Sequence, residues 1–142
     1  MEKYYTLQRM RKMDKSLVAA EYLLRARRTL KEAQIAFEDG DLYYTVVRSL
    51  DTIENLARVL LALKDIFRYE LLWNTTIMLN DESNIEKKLR DLELKLIPIT
   101  LINESSLKTP TVIIRNKEAE MLVDEITKIL EEVEGIYDEY HD

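Results

Sequence analysis

No cysteine occurs in this chain, which excludes disulfides, zinc ribbons and thiol nucleophiles. Only two glycines are present, Gly40 and Gly135. A loop that cradles phosphate needs several glycines close together, so Walker-type and dinucleotide-binding motifs are excluded as well. The longest purely apolar run, Val59 to Leu63, is far too short to cross a bilayer. Met1-Glu2-Lys3-Tyr4-Tyr5 lacks the apolar stretch of a secretory signal, and the expected location is the cytoplasm, away from membranes. No metal-ligand set and no cofactor is expected.

What is present is helix-forming. The 142 residues fit one domain spanning residues 1–142, and a content of 46% hydrophobic and 34% charged residues suits a folded, helix-rich chain. Scarce Gly and Gln beside abundant Glu, Lys, Arg and Ile are compatible with a thermophilic source.

The chain is organised around residues 17–63, which read as a helical hairpin. Ala19, Leu23, Ala26, Leu30, Ala33 and Phe37 recur at steps of four and three, and Tyr43, Val46, Leu50, Ile53, Ala57 and Leu60 do the same. Between them, Gly40 can adopt the left-handed conformation that stops one helix, and Asp41 can cap the next. Ser16 is the expected N-cap of the first helix. The second is expected to run on toward Ile66 and Phe67, with Arg68 to Trp73 continuing in helical register. Asn80 to Asn84 reads as a break.

A third helix is predicted over residues 85–104 through Leu89, Leu92 and Leu96, kinked or ended by Pro98 and followed by a short helix from Ile99. Ser105 to Pro110 reads as a loop, and Val112-Ile113-Ile114 as an extended or packed connection. The last helix, residues 116–140, is expected to be capped by Asn116. Its wide stripe (Ala119, Leu122, Val123, Ile126, Ile129, Leu130, Val133, Ile136, Tyr137, Tyr140) implies burial against two helices. The expected fold is all-α, an antiparallel bundle of four to five helices.

The net charge of −6 is unevenly spread. An N-terminal arm, residues 1–15, carries Lys3, Arg9, Arg11, Lys12 and Lys15, whereas the last helix is dominated by Glu and Asp. This asymmetry marks either a nucleic-acid face or a basic first helix lying beside an acidic last one.

The hairpin resembles the HEPN family of small helical bundles. One matching block is Tyr22 to Ala33, and Phe37-Glu38-Asp39-Gly40-Asp41 is similar to the family's turn between its two main helices. In the block Arg48 to Leu61, Asp51, Glu54 and Arg58 fill the places where the family shows two acidic residues and a basic one. Arg115 resembles the arginine of a family "RY" signature, but Asn116 replaces the tyrosine. About a third of the chain is covered well.

Many active members of that family are metal-independent ribonucleases that use an arginine, four to six intervening residues and a histidine. Here the positions at that distance before His141 are Glu134, Gly135 and Ile136, and those after Arg115 are Glu120, Met121 and Leu122. The motif is missing, and no catalytic residue is assigned. The resemblance implies instead a homodimer, with a separately encoded nucleotidyltransferase as protein partner in a toxin–antitoxin-like pair.

Arg48, Asp51, Asn55 and Arg58 recur at steps of three, four and three, with Glu54 beside them. They form either intrahelical ion pairs worth tenths of a kcal/mol or the wall of a groove for a nucleotide, RNA or a protein. The candidate ligand- or partner-binding residues are therefore Arg48, Asp51, Glu54, Arg58 and Arg115. A helical adaptor without ligand and a divergent RNA-binding or ribonuclease protein are the alternatives.

Overall fold

A computed structural model describes residues 15–67, 75–80, 83–105 and 114–140. Four long helices carry the fold: α1 (Lys15–Glu38), α2 (Leu42–Leu63), α3 (Asn84–Ser105) and α4 (Asn116–Glu139), with one 3-10 turn at Thr75–Met78. The described residues contain no strand. The chain is an all-α bundle, as its periodicity predicts.

The hairpin closes as its sequence dictates. Gly40 takes φ 79°, its amide donates to the Phe37 carbonyl at 3.0 Å, and the Asp41 amide donates to Ala36 O at 2.9 Å. That pair of bonds is the Schellman ending, which satisfies carbonyls that α1 would leave orphaned. Asp41 then caps α2, its Oδ1 accepting from the Tyr44 amide at 3.0 Å.

α2 ends in the same manner, and earlier than expected. Asp65 adopts φ 62°, the Ile66 amide donates to Leu61 O at 2.9 Å, and the Asp65 amide donates to Ala62 O at 2.9 Å. The helix therefore stops at Leu63 instead of running through Ile66 and Phe67, which pack on the core as partly buried residues.

α2 is the central element and packs substantially on α1, α3, α4 and the 3-10 turn. It buries 14 of its 22 residues, whereas α1 buries five of 24. The five are Ala19, Leu23, Ala26, Leu30 and Ala33, the expected stripe; its alanines present little bulk, so α2 can approach closely. The α4 stripe packs on both α1 and α2. An Arg27–Glu134 pair at 3.1 Å ties the basic face of α1 to the acidic α4. Glu134 raises the Arg27 pKa, chiefly through that hydrogen bond.

Three boundaries differ from expectation. α1 is already helical at Lys15, so Ser16 lies inside it and is not its N-cap. Asn116 is the first residue of α4; the cap position is Arg115, in extended conformation, whose carbonyl accepts from the Ala119 amide at 2.9 Å. α3 runs through Pro98 as one element, because Pro98 lies on its exposed side, where the lost backbone donor costs least. The start of α3 follows the predicted break, with the Glu86 amide donating to Ser83 Oγ at 3.4 Å. Ile114 is buried against the core. The N-terminal arm up to residue 14, Arg68 to Trp73, most of the Ser105–Pro110 loop, Val112, Ile113 and His141 lie outside the described residues.

Candidate functional site

The proposed stripe on α2 divides into an outer and an inner part. Arg48 is half-exposed and held by two carboxylates, Glu32 of α1 and Asp51 one turn on, each at 3.1 Å. Arg58, ten positions further along, is only 5% exposed. Its Nη1 donates to Asn55 Oδ1 and its Nη2 to Thr75 Oγ1, both at 3.5 Å, while Glu54 Oε2 lies 3.9 Å from Nη2. The guanidinium also stands 5.8 Å from the centroid of the Tyr22 ring, within cation–π range. Every partner of Arg58 sits at the long end of its range, so the cation is enclosed more than it is clamped.

Across from Arg58, α3 contributes Glu93, which is fully buried. The Thr76 hydroxyl donates to Glu93 Oε1 at 2.6 Å, while Oε2 has no hydrogen-bond partner. Burial pushes the Glu93 carboxyl above its usual range, against the Thr76 hydroxyl and amide, which favour the anion. Glu54 is pushed up to about 8, first by burial and then by the field of Glu93; Arg58 opposes the rise. Asp51 is raised too, by burial, with Arg48 holding it down. The carboxyls of Glu54 and Glu93 thus share the Arg58 cation in a low-dielectric setting that favours the protonated form of both.

Above this cluster the α2–α3 seam opens into a groove of about 200 Å³. Val47, Leu50, Asp51 and Glu54 line one side, and Ile97, Thr100 and Leu101 the other. On α3, Leu94, Ile97 and Leu101 fall at steps of three and four, and Leu94 is 52% exposed although the core stripe of that helix faces elsewhere. Tyr44, 51% exposed, extends the α2 side one turn beyond Val47. The groove sets Val47, Leu50, Ile97 and Leu101 beside the polar groups of Thr100, Asp51 and Glu54.

Of the five candidate residues, four fall in this region. Asp51 and Glu54 line the groove, Arg48 ties Asp51 to α1, and Arg58 lies beneath. Arg115 stands exposed at the head of α4, on a different helix from the other four, and its side chain makes no cap hydrogen bond. Glu93, Thr75, Thr76 and Tyr22 belong to the cluster although none is among the candidate residues. For Glu93 a signal exists: it falls four residues after Leu89 and three before Leu96, inside the apolar stripe of α3. A carboxyl at such a position needs a buried partner.

Among the described residues no group of three or more His, Asp or Glu side chains is arranged to hold a metal ion, and no helix is long and apolar enough to cross a membrane. No protein-family model, curated protein or solved structure matches the chain.

Proposed function

We propose that this chain is a non-catalytic helical module that works by holding a protein partner on the open face of α2 and α3. The observation that carries the reading is the groove itself, in which Val47, Leu50, Ile97 and Leu101 line an open seam between two helices, with Asp51 and Glu54 beside them. Apolar grooves between two helices are a recurrent seat for a third. The state of the two arginines supports a protein over a nucleotide. Arg58 is buried beneath its own partners, and Arg48 already holds two carboxylates, so a phosphate would have to displace both. The separate nucleotidyltransferase implied by the resemblance belongs to this class of partner.

The test is co-expression with the product of the neighbouring reading frame, using the native chain and Val47→Asp and Leu101→Asp variants. The expected result is a stoichiometric complex with the native chain and its loss with either variant. Sedimentation of the chain alone separates partner binding from a homodimer formed on the same face. A calorimetric titration with ATP is expected to be silent. Heat of ATP binding that disappears on changing Arg48 or Arg58 would overturn the reading in favour of a nucleotide site.

A further inference from the structure

Among the described residues, carboxyls outnumber cations along this side of α2. Arg48 faces both Glu32 and Asp51, and Arg58 faces both Glu54 and Glu93. The outer set is half-exposed, so water can complete it. The inner set is closed: Glu93 Oε2 is buried without a donor, and the Glu54 side chain is only 13% exposed. Glu54 lines the groove, alongside the apolar side chains of Val47, Leu50, Ile97 and Leu101. Such a surface is complementary to a ligand that is apolar along its length and cationic at one point.

We propose that the α2–α3 groove receives an apolar helix of a protein partner that carries one lysine or arginine, whose cation is met by Glu54 with Asp51 beside it. This rests on the protein-docking reading above and adds the chemistry of the partner.

Among the described residues, the groups facing Glu54 are Asp51 and Arg58 of its own helix and Glu93 of α3. Thr75 and Thr76 of the 3-10 turn and Tyr22 of α1 face Arg58 and Glu93, and Glu32 of α1 acts on the Arg48–Asp51 pair. In the free protein burial, and after it the field of Glu93, pushes the Glu54 carboxyl up to about 8, and Arg58 offsets only part of that rise. An arriving cation supplies the missing charge: the Glu54 O–H bond breaks, the proton passes to water, and the carboxylate accepts an N–H from the partner. Docking therefore releases a proton, and affinity rises with pH up to about 8.

The experiment uses the full chain and two synthetic helices of about four turns. Both place leucines at i, i+4 and i+7, and they differ at i+3, arginine in one and neutral citrulline in the other. Binding is read from amide shifts in the labelled protein at a series of pH values. The arginine peptide is expected to shift the amides of Val47, Glu54 and Thr100, and the citrulline peptide to bind roughly ten-fold more weakly. Glu54→Gln, which imitates the protonated side chain and keeps its shape, is expected to equalise the two peptides and remove the pH dependence. Equal binding of both peptides to the native chain overturns the charge recognition and leaves the docking face standing. Absence of shifts at the groove with either peptide overturns this proposal, and the co-expression test then decides the broader one.

Discussion

Two parts of this bundle are equally buried and hold together for different reasons. The apolar core, with Ala19, Ala26, Ile53, Ala57, Ile126 and Val133 all inaccessible, is made of groups that gain from leaving water whatever their neighbours do. The polar cluster of Asn55, Arg58, Thr75, Thr76 and Glu93 is as deep, but each member is tolerable there only because another compensates it. The first is additive and indifferent to pH. The second is conditional on charge, because Arg58 sits among more carboxyl groups than it can neutralise. A helix that serves both, as α2 does, couples a robust scaffold to a site whose state can change.

The largest effect is expected from removing Arg58, the one cation of the cluster among the described residues. Arg58→Met leaves Glu54 and Glu93 to share a buried site without compensation, at a cost of about 3–5 kcal/mol where both carboxyls would ionise. Toward acid pH the same variant should lose much less, since the carboxyls can stay protonated. Ile53→Ala, in the apolar core, is expected to cost about 2–5 kcal/mol through lost burial and the cavity it opens. That cost should be the same at every pH. Urea unfolding of both variants between pH 5 and pH 8 makes the comparison. Parallel pH profiles would show that the cluster behaves as ordinary core.

Glu54 gives the native chain its own slope. Its carboxyl sits at about 8 in the folded state and near its ordinary ~4.3 when unfolded, so between those values the folded chain binds more protons. Stability from this group is therefore fully present below the ordinary carboxylate range and is lost as pH rises to about 8. Burial of Glu93 and Asp51 acts in the same direction. The melting temperature is expected to fall from pH 5 to pH 8, and Glu54→Gln to flatten much of that fall. A native chain that grows more stable over this range would mean that the carboxyls are ionised and paired.

The apolar part was legible in the residues because periodicity reports non-directional burial. Ala19 to Ala33 on α1 and Ala119 to Val133 on α4 show their buried faces directly. Gly40 and Asp41 were legible for the same reason: a left-handed turn and a side-chain cap are local requirements. Asp65 was not, since aspartate takes φ 62° only where the chain around it demands that ending. The site was half legible. Asp51, Glu54 and Arg58 follow from one helix, but their meaning depends on Glu93 and Thr76, which reach them from distant parts of the chain. Spacing along one helix also cannot distinguish an arginine that faces solvent from one that is enclosed, and Arg48 and Arg58 differ in this respect.

Asp41→Ala, which removes the α2 cap, should cost about 1 kcal/mol. Arg48→Ala is the mildest change and the sharpest control on the comparison. Arg48 makes two ion pairs at 3.1 Å, yet it is 40% exposed, and its carboxylates can turn to water once it is gone. Exposed pairs of this kind contribute about 0.2–1 kcal/mol and weaken with salt. The loss should be small in urea unfolding and smaller still at high ionic strength, whereas the Arg58 effect should survive salt because water and counterions do not reach it. If the two arginines cost the same, burial would not be what separates the inner cluster from the outer. The enclosed excess of carboxyls over cations, from which the cation site at Glu54 is inferred, would then have no physical basis.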